Sequence, residues 1–326
     1  MPEGQVSNQI ASLIKALASE IGYSACGVTS AEPFDDYTAA LDDRVKRFPE
    51  TTRLYDEMRH RAFPRQKAPW VRSIVVCLRR YGKYELPTEP IGLIGRSYLA
   101  DRRYTGCPDH AMPKLMKEGL IKLGLRVKTG GVPCRAAAAR AGIARFGRNC
   151  FAYSDQHGSW INIEAWQVDA ELPLDAPATG SPCPDGCNAC VKACPTKALE
   201  SPFVMRMDRC IAYLTFAAEG PIAPDLLAKM GCWIYGCDVC QNVCPLNRGK
   251  WENLENVPWQ NEIKQHLTAK ALAEMDLDTY IKMIHPRFWY IPEDDLGRWH
   301  TNATRSLQNT ERVRSTWSNV APAVPG

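Results

Sequence analysis

Cys183-Pro-Asp-Gly-Cys187-Asn-Ala-Cys190-Val-Lys-Ala-Cys194-Pro195 and, further along, Cys237-Asp-Val-Cys240-Gln-Asn-Val-Cys244-Pro245 decide the reading of this chain. Both run Cys-x2-Cys-x3-Cys-Pro, and the first carries Cys183 as an additional thiol ahead of the run. With Cys210 and Cys232, nine of the 14 cysteines fall between Cys183 and Cys244. A secreted disulfide scaffold is usually shorter than 326 residues and begins with a signal peptide. The start, Met1-Pro2-Glu3-Gly4-Gln5, has neither a basic n-region nor an apolar h-region, and no twin arginine. The thiols therefore read as metal ligands in a reduced, cytoplasmic protein.

Soft thiolates match iron–sulfur clusters. The spacing is that of bacterial two-cluster ferredoxins with one extra residue after Cys183. In that pattern a short loop wraps one Fe4S4 cube, and the cysteine before proline crosses to the other cube. One set is then Cys183, Cys187, Cys190 and Cys244. The other is Cys194, Cys237, Cys240 and a fourth thiol, Cys210 or Cys232, between which spacing does not choose. Structural zinc also uses Cys-x2-Cys pairs in closed four-cysteine sites, but the doubled run ending in Cys-Pro favours two 4Fe-4S clusters. Cys26, Cys77, Cys107, Cys134 and Cys150 are scattered. Cys26 and Cys77 sit on predicted strands and read as small buried hydrophobes.

Outward from the cysteines, the pattern is that of an α/β or α+β protein. Val6, Ile10, Leu13, Ile14, Leu17 and Ile21 mark an amphipathic helix over 5–21. Strands are predicted at Cys26–Val28, Arg72–Leu78, Leu125–Val127 and Trp160–Val168. Helices are predicted around Leu115–Leu123, over Ala136–Ala141 with Gly142 as C-cap, and over Leu267–Ile284. The Pro/Ala/Gly/Ser-rich stretch Leu172–Pro184 marks a boundary. Three units are expected: an N-terminal domain over 1–178, a ferredoxin-like domain over 179–250, and a helical extension over 251–326 whose tail, from Ser315, is frayed. No run approaches 18 apolar residues, so no membrane partner is expected. The net charge of +4 neither requires nor excludes nucleic acid. No GxGxxG after a strand, Walker A or HExxH occurs. About 180 residues precede the cysteines, more than electron transfer alone requires, so the clusters are expected to feed a second redox centre or a substrate.

Trp233-Ile-Tyr-Gly-Cys237-Asp-Val-Cys240-Gln-Asn-Val-Cys244-Pro-Leu-Asn247 resembles the second cluster motif of epoxyqueuosine reductases, as does Arg209-Cys210-Ile-Ala-Tyr213-Leu-Thr215. Ala139-Arg-Ala-Gly142-Ile-Ala-Arg-Phe-Gly147-Arg-Asn149 is similar to that family's AARAGLGxxGKN segment, and Asn302-Ala-Thr-Arg305-Ser-Leu-Gln-Asn309 to its RNAxRALGN stretch. The superfamily includes reductive dehalogenases. The resemblance, over about residues 70–310, implies a nitroreductase-like α/β domain that holds cobalamin beside one cluster. It implies electrons from a small donor such as ferredoxin or flavodoxin, passing through both clusters to cobalt, for reductive removal of oxygen or halide. It favours Cys210 over Cys232. Candidate cofactor-binding residues are Tyr98, Arg135, Gly147, Asn149 and Tyr235. Tyr104 is the candidate proton donor, with Arg102 and Arg103 beside it to stabilise a developing phenolate.

Three departures shape the expected substrate. The family carries an acidic proton donor in an Asp-Ser/Thr-x-Pro segment before the AARAG helix, whereas Thr129-Gly-Gly-Val-Pro-Cys134-Arg135 has no carboxylate. The family's RDYH element is matched loosely by Arg102-Arg103-Tyr104-Thr105. Longer members have a helical-repeat domain for tRNA, and about 80 residues follow Cys244-Pro245 here. The expectation is a divergent member acting on an organic small molecule, with tRNA not favoured. The alternatives are a corrinoid-free electron-transfer or activase protein and a tRNA epoxyqueuosine reductase. Arg287-Phe-Trp-Tyr290 is read as packing of the C-terminal segment, with base stacking as the alternative.

Overall fold

A computed structural model describes residues 3–318. Its centre is a four-stranded sheet of β1 (Ala25–Ser30), β2 (Ser73–Arg80), β3 (Val127–Thr129) and β4 (Ile161–Val168), in the order β1–β2–β4–β3. Every pairing is antiparallel, which makes the arrangement α+β and not a parallel α/β sheet. Side chains alternate across a strand. Ile74, Val76 and Leu78 of β2 therefore pack with Ala137, Ala138 and Ala165 on one face. Val75 and Cys77 pack on the other with Ile14, Met116, Leu120 and Trp166. Both faces are covered, so β2 reads as a continuous apolar run and not as an alternating one.

Three of the predicted helices stand close to their expected bounds, at Glu3–Ile21, Met112–Lys122 and Cys134–Arg140. The predicted strand Leu125–Val127 forms two residues later, at Val127–Thr129, and Leu125 is instead buried among side chains of the helices Glu3–Ile21 and Met112–Lys122. The expected helix over Leu267–Ile284 is broken into Ala269–Ala273, Leu277–Thr279 and a π-helical turn Tyr280–Ile284. The Asp276 carboxylate accepts from Thr279 N at 2.8 Å and starts a new helix there. Gly142 ends its helix at φ +75°, and a Cβ there would collide with the Ala176 carbonyl. The irregular stretch after Leu172 is strapped back to the sheet, since Asp175 accepts from Val28 N at 2.8 Å and pairs with Lys15 at 2.6 Å.

A third core joins distant parts of the chain. Tyr81, Tyr84, Ile94 and Leu99 share it with Tyr235 and with Trp259, Phe288, Trp299 and Ala303. Tyr235 stacks on Trp299 with 5.1 Å between ring centroids and 4° between planes. The C-terminal helix Leu296–Ser318 lends Asn302, which donates to Thr215 O at 2.8 Å and Ile234 O at 3.1 Å. Arg305 donates to the carbonyls of Gly231 and Trp233. The frayed tail expected from Ser315 begins inside this helix, and residues 319–326 lie outside those described. Among the described residues no helix is long and apolar enough to cross a membrane.

Candidate functional site: two cysteine sets and a cavity

The cysteines separate into two groups. Cys183, Cys187, Cys190 and Cys244 line one small pocket with Arg148, Asn149 and Tyr153. Cys194, Cys210, Cys237 and Cys240 stand in the wall of a cavity of about 1000 Å³. Cys232 is elsewhere, its Sγ 3.3 Å from the Thr310 hydroxyl. Among the described residues, no three His, Cys, Asp or Glu side chains converge as one bound ion would require; the thiols surround volumes. Burial pushes the Cys237 and Cys240 thiols up, and the neighbouring thiols add to it. Burial likewise holds Cys190 up at about 11. Such thiols become thiolates when a cationic centre binds among them, so the donor set fits iron–sulfur clusters.

The turn between the short strands Arg145–Phe146 and Ala152–Tyr153 braces the first pocket. Arg148 N donates to Cys183 Sγ at 3.3 Å, and its guanidinium to Cys187 O at 2.6 Å. The Tyr153 hydroxyl donates to Cys244 Sγ at 3.2 Å. Asn149 Nδ2 donates to the Tyr153 hydroxyl at 2.8 Å and to Cys240 O at 3.2 Å, so it touches both groups. Gly147 leaves room for the Tyr153 ring, which a Cβ would strike.

The large cavity takes its floor from β2 and β4. Arg79, 2% exposed, pairs with Asp109 at 2.7 Å and donates to Asn162, while its Nε has no partner. The Arg79 cation draws the Asp109 carboxyl below its ordinary value, against the upward push of burial. Glu164 faces the cavity and accepts from Tyr23 and Arg102. Asp101 holds Arg103, whose guanidinium lies 4.0 Å over the Trp289 ring. The rim is aromatic. Phe216 and Tyr290 stack at 4.8 Å, Trp289 and Tyr290 at 4.3 Å, and Tyr98 meets Tyr290 edge-on at 5.7 Å. Gly236, at φ +78°, makes space for the Tyr98 ring beside Cys237.

Of the residues singled out in the sequence, Tyr98, Arg135 and Asn149 line this cavity with the second cysteine group. Arg135 donates to Cys150 O at 3.2 Å. Gly147 stands behind the wall, under Tyr153. Tyr235 is fully buried beneath the rim, and its hydroxyl accepts from Tyr290 N at 2.9 Å. Tyr104 is not brought to the cavity. Its ring packs edge-on to Trp259 at 5.3 Å with Arg287 4.4 Å over its face. The two arginines expected to serve it are turned to Glu164 and Asp101 instead. Sequence reading missed Glu164, Arg79 and Tyr153. The available signal for Glu164 was a carboxylate inside a buried strand, which must find a partner.

The double cluster framework defines the class first. A family model described as "4Fe-4S double cluster binding domain" matches residues 183–247. The chain is 32% identical to an epoxyqueuosine reductase of Xanthomonas campestris over 73% of this chain and 70% of that protein. It is 30% identical to one of Leadbetterella byssophila over 82% and 85%. The structure of epoxyqueuosine reductase from Streptococcus thermophilus matches with a TM-score of 0.76 at 24% identity, over 96% of this chain and 87% of that one. A structure of epoxyqueuosine reductase with an epoxyqueuosine-modified tRNA-Tyr stem loop matches with a TM-score of 0.73 at 24% identity, over 92% and 81%.

The chain belongs to the epoxyqueuosine reductase family, and it is an oxidoreductase of that class. Membership is closer than the departures in residues 129–135 suggest. The expectation of a small-molecule substrate with tRNA not favoured is corrected by the relative that carries a tRNA stem loop on the same fold.

Proposed function

We propose that this protein reduces epoxyqueuosine in tRNA, with two 4Fe-4S clusters feeding electrons to a cobalamin in the large cavity. The observation that carries this reading is the cavity itself. It has about 1000 Å³ of space, four thiols in one wall, a charged floor and an aromatic, arginine-bearing rim. Ligand pockets run from about 300 to 1,000 Å³, so there is room for a corrinoid-sized group. When bound, cobalamin would supply low-potential reducing power at cobalt. In this reading residues 1–178 form a nitroreductase-like domain, 179–250 hold the clusters, and the segment from 251 closes the rim. Cys210 completes the second ligand set, and Tyr98, Arg135 and Asn149 face the cofactor.

Deoxygenation of an epoxide takes two electrons and two protons, and yields an alkene and water. Two acids on the cavity wall keep their protons at neutral pH, because burial pushes up both the Tyr98 phenol and the Cys134 thiol. We assign proton delivery to these and not to Tyr104. Asp101 and Glu164 are ion-paired and orient arginines. The stacked rim with Arg103 suits an unpaired base of an RNA loop, which proteins grip by aromatic stacking and cationic contact.

The test is anaerobic purification from a host given cobalamin, followed by incubation with epoxyqueuosine tRNA and reductant. About eight irons and about one cobalt per chain, with queuosine found by nucleoside mass spectrometry, is the expected result. About eight irons, no cobalt after reconstitution and no queuosine would instead support the corrinoid-free electron-transfer reading.

A further inference from the structure

We propose that Tyr153 sets the redox potential of the cluster held by Cys183, Cys187, Cys190 and Cys244, by donating its phenolic hydrogen to the Cys244 sulfur. The proposal rests on the cluster reading of these cysteines but not on the substrate.

The direction of the hydrogen bond follows from the groups around it. The Asn149 amide is fixed by two neighbours. Its Nδ2 faces the Cys240 carbonyl at 3.2 Å, which can only accept, and its Oδ1 accepts from Phe151 N at 3.2 Å. The same Nδ2 donates to the Tyr153 oxygen at 2.8 Å. The single phenolic hydrogen is therefore free to point at Cys244 Sγ, 3.2 Å away. Tyr153 is 2% exposed, so water does not compete for that hydrogen. Asn149 is thus a positioning residue that fixes the phenol's orientation.

Among the described residues the second group has no phenol or other side-chain donor as close: Thr196 Oγ1 lies 3.8 Å from Cys194 Sγ, Val239 N lies 3.5 Å from Cys237 Sγ, and Cys210 takes backbone N–H groups of Ala212 and Tyr213. Hydrogen bonds to cluster sulfur draw off negative charge and favour the reduced state, which carries one more electron. Reduction adds that electron to the cluster, while the proton stays on the phenol. The first cluster should accordingly hold an electron more readily than its own ligand set alone would.

The test is an EPR-monitored redox titration of the anaerobically reconstituted full chain and its Tyr153→Phe variant, with iron counted in each. One of the two midpoint potentials should move negative and the other stay. A 3-fluorotyrosine at position 153 keeps the ring and is the stronger donor; it should move the same potential positive. Two unchanged potentials, or two that move together, would overturn the proposal. Should the Phe variant lose iron, the opposite shift with fluorotyrosine still decides it. A wild-type chain that takes up no clusters would remove the underlying cluster reading, a failure read from the iron count alone.

Discussion

Cys183, Cys187, Cys190 and Cys244 crowd a small pocket braced by the Arg145–Tyr153 hairpin, whereas Cys194, Cys210, Cys237 and Cys240 look onto a cavity of about 1000 Å³. The two runs share one spacing, so local sequence does not make them different. What separates them is the neighbours that the rest of the chain brings. An arginine amide, a phenol and an amide side chain close off the first group. The second is left open toward Tyr98, Arg135 and the charged floor. The closed group suits a relay, and the open one suits the last step before a reacting cofactor.

The sharpest way to break this comparison is to remove one ligand. Cys210→Ala should cost about half the iron and all turnover, while Cys232→Ala should leave both intact, as read by iron analysis. Equal losses from the two variants would dissolve the assignment of the open group.

The floor of the open cavity comes next in size. Asp109→Asn strands the Arg79 charge in the interior and should cost about 3–5 kcal/mol in denaturant unfolding. The wild-type pair also carries a pH signature. Because the Asp109 carboxyl is lower in the folded state than in the unfolded one, its contribution is full above the ordinary carboxylate value, about 3.9. It is lost as pH falls through the depressed folded value. The variant should lack that part of the acid slope.

At the rim, Trp289→Ala should weaken binding of an epoxyqueuosine tRNA stem loop by about 1–3 kcal/mol, measured by fluorescence anisotropy. Unchanged affinity would move the RNA away from the aromatic shelf. The smallest effect belongs to Tyr104→Phe. Turnover should stay far above the roughly 10²-fold loss that removing a general acid brings, and a loss of that size would restore Tyr104 as the donor.

What was legible in the sequence was local or periodic. The cysteine runs carry their geometry in fixed spacings, and the helix at Glu3–Ile21 and strands β2 and β4 follow from apolar periods. Side-chain direction was not legible. Arg102 and Arg103 adjoin Tyr104 in the chain, but Glu164, 62 residues from Arg102, and Asp101 decide where they point. Tyr153 escaped for the same reason. Nothing in Gly147-Arg-Asn149 announces a phenol four residues past Asn149 that reaches a sulfur 91 residues from it. The break in the helix after Ala273 was readable in principle from Asp276, an N-cap residue lying within the apolar pattern.

The carbonyls of Gly231, Trp233 and Ile234, just ahead of Cys237, are held by Arg305 and Asn302, which lie 74, 72 and 68 residues later. During synthesis, at about 5–20 residues per second, the cysteine loop emerges several seconds before those partners exist. For that interval the second ligand set has its thiols but not its frame. Cluster delivery that precedes docking of the C-terminal helix would meet a loose loop, and delivery after it a formed one. Docking of the C-terminal helix therefore marks the point at which the loop ahead of Cys237 gains its frame.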